Sequence, residues 1–331
     1  MTPSFDRRAL VRAIPAAFLA AASPLAFAQS WPNRPLHMIV PFPPGGSTDL
    51  LGRAIGEEIA RSLQQAVVIE NVPGAGGSIG AERAARAAPD GYTLLMGHIG
   101  TLAVNPSLYP KLAYDPLRSF TPVAWVARVP NVLVVNPAVP ASSLGELIAY
   151  AKTHPGQLSY ASGGNGSAAH MAMEYLKMAT QASLLHIPYR GTAPAVMDVL
   201  SGQVQATFTG VPALLPHIRA GKLRALAVSS PKRLAVLPDV PTVAESGVPG
   251  TKDFEADQWY GLVAPAGTPA DIVAQLNRLV NASLASNAVR ERLASEGAEP
   301  TPTTPQAFGE LIAREIPRWA RVIKAAHITT G

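Results

Sequence analysis

The sequence predicts an α/β protein made of two domains, and three observations lead to this prediction. Short apolar stretches alternate with longer amphipathic ones, which is typical of α/β proteins with largely parallel sheets. About 300 residues remain after a leader-like N-terminus, more than one hydrophobic core usually serves. Two long extended stretches, near 122–136 and 254–264, are placed to run from one domain into the other.

The first part of the chain opens with the pattern βαβαβ. Apolar residues spaced three and four apart, such as Leu51, Ala54 and Ile55, indicate a helix between the first two strands. The predicted elements are a strand at 36–41, a helix at 48–63, a strand at 66–70, a helix at 78–87 and a strand at 92–96.

The middle and the end continue the alternation. Pro130 interrupts the first extended stretch, and the segment 231–250 is rich in proline and irregular. The middle elements are a helix at 144–152, a strand at 158–161, a helix at 167–178, a strand at 184–187, a helix at 195–200 and strands at 204–208 and 223–228. A strand at 259–264 and helices at 269–285, 287–296 and 306–325 complete the chain.

The two extended stretches predict that the middle segment is a domain inserted into the first one. Lobe 1 then comprises residues 29–128 plus 256–331, and lobe 2 comprises residues 129–255. The crossing strands would act as a hinge, and a ligand cleft would lie between the lobes, facing the carboxyl ends of the strands.

The first 28 residues read as a signal peptide. Arg7, Arg8 and Arg12 precede an apolar run of residues 13–22, which is too short to span a membrane. The sequence 26–28, Ala-Phe-Ala, fits a cleavage site, so the mature chain is expected to begin near Gln29. We expect export to a bacterial periplasm, by the Sec or the Tat route, without a lipid anchor because no cysteine follows the cleavage site.

Composition excludes several classes of function. The chain has no cysteine, which rules out disulfides, thiolate metal ligands and a cysteine nucleophile. The formal net charge of +5 falls to +3 without the signal peptide, and the remaining basic residues are scattered, so nucleic-acid binding has little support. The seven histidines are dispersed, which argues against a metal site. No cofactor is expected.

Three glycine-rich loops, each followed by a predicted helix, carry most of the chemical information. They span residues 42–49, 73–78 and 162–167, and each contains Ser or Thr at the predicted start of its helix. Backbone amides at such a helix start form an anion site. None of the loops contains Lys or Arg, so a carboxylate is a better fit than a polyphosphate. The loop 73–78 is expected to be mainly structural.

One motif supports an alternative function. Residues 76–80 match G-x-S-x-G, the nucleophile elbow of α/β-hydrolases, which would make Ser78 the nucleophile of a secreted serine hydrolase. Five residues separate the motif from the preceding strand, and no histidine is marked as the general base. A sensor subunit that presents its ligand to a membrane partner is a further alternative.

The chain resembles the tripartite tricarboxylate transporter solute-binding proteins, the Bug family of periplasmic receptors. The resemblance covers nearly the whole mature chain. It is carried by residues 41–46 with Asp49, 70–77 with Gly80, 90–94, 133–137, 160–167 with His170, 187–191, 237–242 and 261–269.

This resemblance implies a two-lobed periplasmic binding protein, type II-like and of the Venus flytrap kind, with two crossover strands as its hinge. It implies a non-catalytic receptor that binds a di- or tricarboxylate or an aromatic acid and delivers it to the membrane permease subunits of a tripartite transporter. We expect a monomer. Carried over by position, the ligand-binding residues are Phe42, Gly45, Gly46, Ser47, Asp49, Thr101, Asn105, Ser162, Gly163, Asn165, Gly166, Ser167, His170, Tyr189, Gly191, Thr192 and Thr209.

The chain departs from the family pattern at two positions. Gln205 stands where the family commonly has Asp, and Thr209 stands where an acidic residue is frequent. The missing negative charge argues against a ligand with an ammonium group, provided that these side chains face the cleft. His170, if it faces the cleft, is expected to donate a hydrogen bond to the anion and to tighten binding at lower pH.

Overall fold

Two β-sheets joined by two stretches of chain organise this protein. The structure is a computed structural model that describes residues 31–295 and 297–329. The predicted signal peptide, residues 1–28, lies outside the described residues. From Arg34 onward the chain forms one compact unit.

The helices and strands alternate along most of the chain, as predicted. The strands are β1 (Leu36–Val40), β2 (Val67–Asn71), β3 (Thr93–His98), β4 (Phe120–Val129), β5 (Asn131–Val135), β6 (Ser159–Ser162), β7 (Leu185–Pro188), β8 (Ala206–Gly210), β9 (Arg224–Val228), β10 (Gln258–Pro265) and β11 (Glu299–Pro300). The helices are α1 (Ser47–Leu63), α2 (Ser78–Ala85), α3 (Asn105–Leu108), α4 (Leu144–Thr153), α5 (Ala168–Thr180), α6 (Thr192–Ser201), α7 (Val211–Arg219), α8 (Ala270–Ala285), α9 (Asn287–Ser295) and α10 (Pro305–Ala325).

The first sheet has the strand order β11-β4-β10-β3-β1-β2. Strand β1 pairs in parallel with β2 and with β3, whereas β10 pairs antiparallel with both β3 and β4. Helices α1 and α2 follow β1 and β2, so their N-terminal ends lie at the carboxyl edge of these strands. Gly52 on α1 lies so close to the sheet that an added Cβ would be 2.9 Å from Val40.

The second sheet has the strand order β7-β6-β8-β5-β9. Strand β6 pairs in parallel with β7 and β8, and β5 pairs antiparallel with β8 and β9. Helices α5, α6 and α7 each begin soon after the strand that precedes them, so their N-termini lie at the carboxyl edge of this sheet. All five residues of β5 and of β8 are buried.

Three details differ from the sequence-based expectation. The sheets are mixed rather than largely parallel, because the strands that join them run opposite to their neighbours. Helix α7 was not predicted, because Pro212 and Pro216 argue against a helix there. Pro212 occupies the first turn, where the missing N–H costs nothing, and the helix accommodates Pro216 near its end. A helical segment at 100–108 was likewise not predicted.

The two sheets are joined by a first crossing, β4–Pro130–β5, and by the chain between β9 and β10. Asn131, just after Pro130, connects the two. Its side-chain amide donates to the Ala256 carbonyl at 2.6 Å, and its backbone amide donates to Ser229 Oγ at 2.8 Å. Ser229 donates in turn to the Asp257 carboxylate, which also accepts a hydrogen bond from Arg128 Nε at 2.6 Å. The crossings are therefore tied together by buried polar groups.

The lobe boundaries at 128/129 and 255/256 stay a prediction. Within the part of the chain that the structure describes, none of the helices is both long enough and apolar enough to cross a bilayer.

Candidate functional site

The first glycine loop, residues 42–49, leads from β1 into α1 and is held by a carboxylate. Asp49 accepts a hydrogen bond from the Gly45 amide at 3.0 Å and a two-pronged ion pair from Arg53, with both N–O distances at 3.0 Å. Asn71 donates to Asp49 at 2.9 Å and to the Phe42 carbonyl at 3.1 Å. Burial alone would raise the pKa of Asp49, but these hydrogen bonds outweigh it and lower the pKa. Asp49 therefore acts as an anionic brace for the loop.

The brace leaves the helix start open. Gly46 caps α1 in an extended conformation without a side-chain hydrogen bond. Among the described residues, the backbone amides of Ser47, Thr48 and Asp49 have no hydrogen-bond acceptor, as is usual for the first turn of a helix. A Cβ added at Gly46 would find no atom within 4 Å, so the space beside these amides is free.

His98, at the end of β3, connects this loop with the rest of the site. Its ring lies 5.2 Å from that of Phe42 and 5.0 Å from that of Tyr260, and the Tyr260 hydroxyl interacts with Ser47. Nδ1 accepts a hydrogen bond from the Gly100 amide at 3.0 Å, so the proton is on Nε2, which donates to Gln258 at 3.2 Å. Burial lowers the pKa of His98 to about 4, so the ring is neutral at pH 7.

The middle glycine loop, residues 162–167, leads from β6 into α5 and reaches the same place. The Ser167 hydroxyl caps α5 by accepting from the His170 amide at 3.3 Å. Among the described residues, the amides of Gly163, Asn165, Ala168 and Ala169 have no acceptor. A Cβ added to Gly100, beside His98, would be 4.0 Å from the Gly166 carbonyl oxygen. The first and the middle glycine loops therefore both approach His98 and its neighbour Gly100.

The segment 189–192 adjoins the middle loop. A Cβ added at Gly163 would contact the Gly191 carbonyl carbon and the Thr192 amide nitrogen at 3.4 Å. Gly191 precedes α6 with a φ of +118°, and no side chain caps this helix. The Tyr189 hydroxyl donates to Asp198 at 2.5 Å, and burial, with the negative charge of Asp198, raises the pKa of Tyr189 to about 12.

The two halves of the site touch at Gly166. Its φ is +73°, and a Cβ added there would lie 2.1 Å from Leu108 and 3.8 Å from Val104. Leu108 and Val104 belong to the helical segment between β3 and β4, whereas Gly166 belongs to the second sheet's loop. Only glycine can form this contact.

Other predicted site residues are engaged elsewhere or are enclosed. Thr101 donates to the His98 carbonyl and accepts from the His98 amide, and Asn105 donates to the Gly76 carbonyl at 3.1 Å and to Ser78 at 2.9 Å. Thr209, in β8, is 4 % exposed, and its hydroxyl has no bonding partner among the described residues. Gln205 accepts two hydrogen bonds from Ser159, at the start of β6. It therefore lies at the opposite end of the strands from the glycine loops.

The expected effect of pH on His170 does not follow from its surroundings. The His170 Nδ1 accepts a hydrogen bond from the Gly166 amide at 3.0 Å, and the residue is 5 % exposed. Burial, reinforced by Lys177, lowers the pKa of His170 to about 4. The ring is therefore neutral unless the pH falls to about 4.

The hydrolase motif does not form a catalytic arrangement. Ser78 Oγ accepts a hydrogen bond from Asn105, and among the described residues no histidine bonds to it. The 76–80 segment packs against the first loop and the segment after β3, since a Cβ on Gly77 would lie 3.1 Å from Phe42 and 2.7 Å from Thr101. The alternative of a serine hydrolase is therefore not supported.

Metal binding and cavity volume do not define the site. Among the described residues there is no group of three His, Cys, Asp or Glu side chains that could hold a metal ion. Two cavities, of about 360 and about 230 Å³, lie beside α9 and around Arg128, and no residue of the three glycine loops lines either. The site is thus assigned on its hydrogen-bonding chemistry.

Sequence reasoning missed Gln258, Tyr260 and His186. His98 ends a buried strand at the carboxyl edge of the predicted sheet, where site residues are expected. Gln258 and Tyr260 come close to it only through β10, a pairing between residues 160 positions apart that no local pattern indicates.

The chain is similar to several known proteins. A family model described as "Tripartite tricarboxylate transporter family receptor" matches residues 51–328. Protein BugT of Bordetella pertussis is 46% identical over 298 residues, which cover 90% of each chain.

Solved structures agree with this. The R. palustris protein Rpa4515 with adipate is 40% identical with a TM-score of 0.85, and the alignment covers 90% of this chain and 99% of that one. MatC from Rhodopseudomonas palustris with bound malate is 38% identical with a TM-score of 0.81, over 88% of this chain and 100% of that one. The predicted two-lobed α/β fold class is confirmed. The chain belongs to the tripartite tricarboxylate transporter family of receptors.

Proposed function

We propose that this protein is a non-catalytic periplasmic receptor that binds a small organic carboxylate between the first glycine loop, 42–49, and the middle glycine loop, 162–167. The observation that carries the proposal is that two loops from different sheets approach each other near His98, and that each leads into a helix start with open amides, α1 and α5. A ligand that bridges them would hold the two lobes together.

The charge balance of the site supports an anion of low charge. His98 and His170 are neutral at pH 7, and the negative charge of Asp49 is already compensated by Arg53. Peptide dipoles rather than basic side chains would therefore stabilise the ligand. Hydrogen bonds to a charged group contribute about 1.5–3 kcal/mol each. Three such bonds with lobe closure would give a dissociation constant near micromolar, which corresponds to a binding free energy of about −8 kcal/mol.

Relatives suggest which carboxylates to test. Two similar structures carry adipate and malate, both dicarboxylates with a short carbon chain. For this chain we propose a ligand of the same class, a short dicarboxylate. One of its carboxylates would accept hydrogen bonds from the amides of Ser47, Thr48 and Asp49 and from the open amides of the middle loop. The remaining predicted residues, among them Asn165, Tyr189, Thr192 and Thr209, would contact the rest of the ligand.

The wider setting is part of the proposal. Residues 1–28 would direct export, and the mature monomer would deliver its ligand to the membrane subunits of a tripartite transporter. Lobe 1 would comprise 29–128 plus 256–331 and lobe 2 would comprise 129–255, with Asn131 and Asp257 in the hinge. The family match supports the receptor role.

Isothermal titration calorimetry of the mature chain against adipate, malate, benzoate and a neutral diamide tests this function. We expect micromolar binding of at least one carboxylate, no binding of the diamide, and recovery of the ligand unchanged. Gly46→Val should weaken binding at least about tenfold, because the side chain fills the free space beside the open amides. Gly145→Val, the same change at the start of α4, is the control. Turnover of a ligand, or equal affinity of both variants, would contradict the proposal.

A further inference from the structure

Two histidines are stacked beneath the middle glycine loop. His170 comes from the first turn of α5 and His186 from β7, and their ring centroids are 3.9 Å apart with the planes inclined by 9°. Tyr160 of β6 extends the stack, with its ring 4.9 Å from that of His186. Sequence reasoning did not single out His186.

Each imidazole is bonded to one turn of the loop. The Gly166 amide donates to His170 Nδ1 at 3.0 Å, so this nitrogen carries no proton. His186 Nε2 lies 2.6 Å from Ser162 Oγ, which accepts a hydrogen bond from the Gly164 amide at 3.2 Å. Gly164 and Gly166 both have positive φ angles, +118° and +73°. His170 thus accepts from the Gly166 amide directly, whereas His186 contacts Ser162, which accepts from the Gly164 amide. The amides of Gly163 and Asn165 stay open.

Burial is the main reason that the stacked histidines are neutral, and Glu174 and Lys177 are the charged groups beside them. On α5, Glu174 accepts hydrogen bonds from Tyr160 and from Lys177, both at 2.6 Å, and Lys177 lies over the Tyr160 ring. Leu108 and Val104 close the site from the side of the first sheet. Burial, with the positive charge of Lys177, lowers the pKa of His170 to about 4. Burial and the neighbouring His170 lower the pKa of His186 to about 3.

We propose that His170 and His186 are positioning residues that hold the loop 162–167 in the conformation that directs its free amides at the ligand. The inference rests on the proposed function, because it assigns both residues to the same carboxylate site. In this role His170 acts through Gly166 and does not itself need to contact the ligand. A proton on His170 Nδ1 would remove the acceptor of the Gly166 amide and add a charge beside His186.

The first experiment does not depend on a ligand. In the ligand-free mature protein, the imidazole nitrogen shifts of His170 and the amide shift of Gly166 are followed by NMR between pH 7.5 and the acid limit of folding. We expect the two signals to change together, with a midpoint well below the 6.5 of a free histidine. The exposed His154, directly after α4, is the control, and the Gly166 amide shift should not follow its signals. A Gly166 amide shift that stays constant while His170 titrates would overturn the proposal.

The second experiment measures binding of adipate and malate at pH 7. His170→Phe keeps an aromatic ring in the stack but loses the acceptor, and should bind about tenfold more weakly than the wild type. His170→Gln offers a carbonyl oxygen to the Gly166 amide and should recover part of this loss. His154→Phe is the matched control. Equal weakening in His170→Phe and His170→Gln, with both folded by circular dichroism, would overturn the positioning role.

Failure of the proposed function can be distinguished from failure of the positioning role. If the wild type binds neither acid nor any other carboxylate, the proposed function fails, while the NMR titration still decides whether the stack holds the loop. If the wild type binds and the Gly166 shift is uncoupled from His170, the function stands and the positioning role is wrong.

Discussion

Replacing Gly166 with alanine tests whether the two halves of the site meet when the ligand is bound. The added Cβ would lie 2.1 Å from Leu108, whereas ordinary contacts of this kind are 3.4–4 Å. Leu108 is 4 % exposed and has little room to rotate away. Either the side chain is displaced at a cost of overpacking, about 1–3 kcal/mol, or the loop and the helical segment separate by more than an ångström.

A second cost acts on folding rather than on binding. The φ of +73° at Gly166 disfavours a residue with a Cβ by about 1–2 kcal/mol. Gly247 has a nearly equal φ of +69°, and a Cβ there would meet no atom within 4 Å. Gly247→Ala therefore carries the strain without the clash. Both variants should lose comparable stability through strain, and only Gly166→Ala should bind more weakly.

Calorimetry with the best ligand of the carboxylate panel measures the difference. We expect Gly166→Ala to bind about 5- to 150-fold more weakly than the wild type, which corresponds to the overpacking cost. The double variant Gly166→Ala/Leu108→Ala removes the obstructing methyl groups and should regain most of this affinity. Equal affinities of Gly166→Ala and Gly247→Ala would refute the reasoning, and so would a double variant as weak as Gly166→Ala.

Three further predictions concern the brace, the buried histidine and the core. Asp49→Asn should lower the free energy of unfolding by about 2 kcal/mol and weaken ligand binding, because it breaks a charge-assisted network. Glu57→Gln, on the exposed face of the same helix, should change the free energy of unfolding and that of binding by less than about 0.5 kcal/mol each. Urea unfolding measures the first quantity and calorimetry the second. The folded-state pKa of His98, about 4, lies below that of the unfolded chain, so the unfolded state binds the extra proton and stability falls as pH drops from 6.5 towards 4. Urea unfolding at pH 7 and 4.5 should show that His98→Asn loses less stability than the wild type, by up to about 3 kcal/mol. Gly261→Ala should lower the melting temperature by several degrees, because the new Cβ would lie 2.1 Å from the buried ring of Phe308, and an unchanged melting temperature would contradict that packing.

Local patterns predicted most of the secondary structure and the position of the glycine loops. Alternating apolar and amphipathic stretches identified the strands and helices flanking the cleft, and Pro130 marked the break between β4 and β5. Helix α7 was missed because its two prolines are usual signs of a loop, and only packing of Leu214 and Leu215 into the core overrides them.

The chemistry of the site was less accessible to the sequence. That the loops could hold an anion follows from glycine and from the following helix, but which amides stay open depends on side chains that arrive from elsewhere. Asn71 reaches Asp49 across 22 residues, and His186 reaches Ser162 across 24. These distances along the chain lie beyond the range of any local pattern. The sequence therefore did not reveal that Asp49 and His170 bond within their own loops, and their contact with a ligand stays a prediction.

Recognition of a carboxylate through peptide N–H groups would separate affinity for the acid group from selectivity for the rest of the solute, two properties that most binding sites combine. Every residue except proline has the same N–H, so binding of a carboxylate by backbone amides would survive most side-chain replacements that leave the shape of the turn and the space beside the amides unchanged. Under the proposed function, residues beside the loops such as Asn165 and Tyr189 would select the remainder of the solute. A protein built this way can acquire a new ligand by changing a few peripheral side chains, while the backbone amides that bind the carboxylate stay the same.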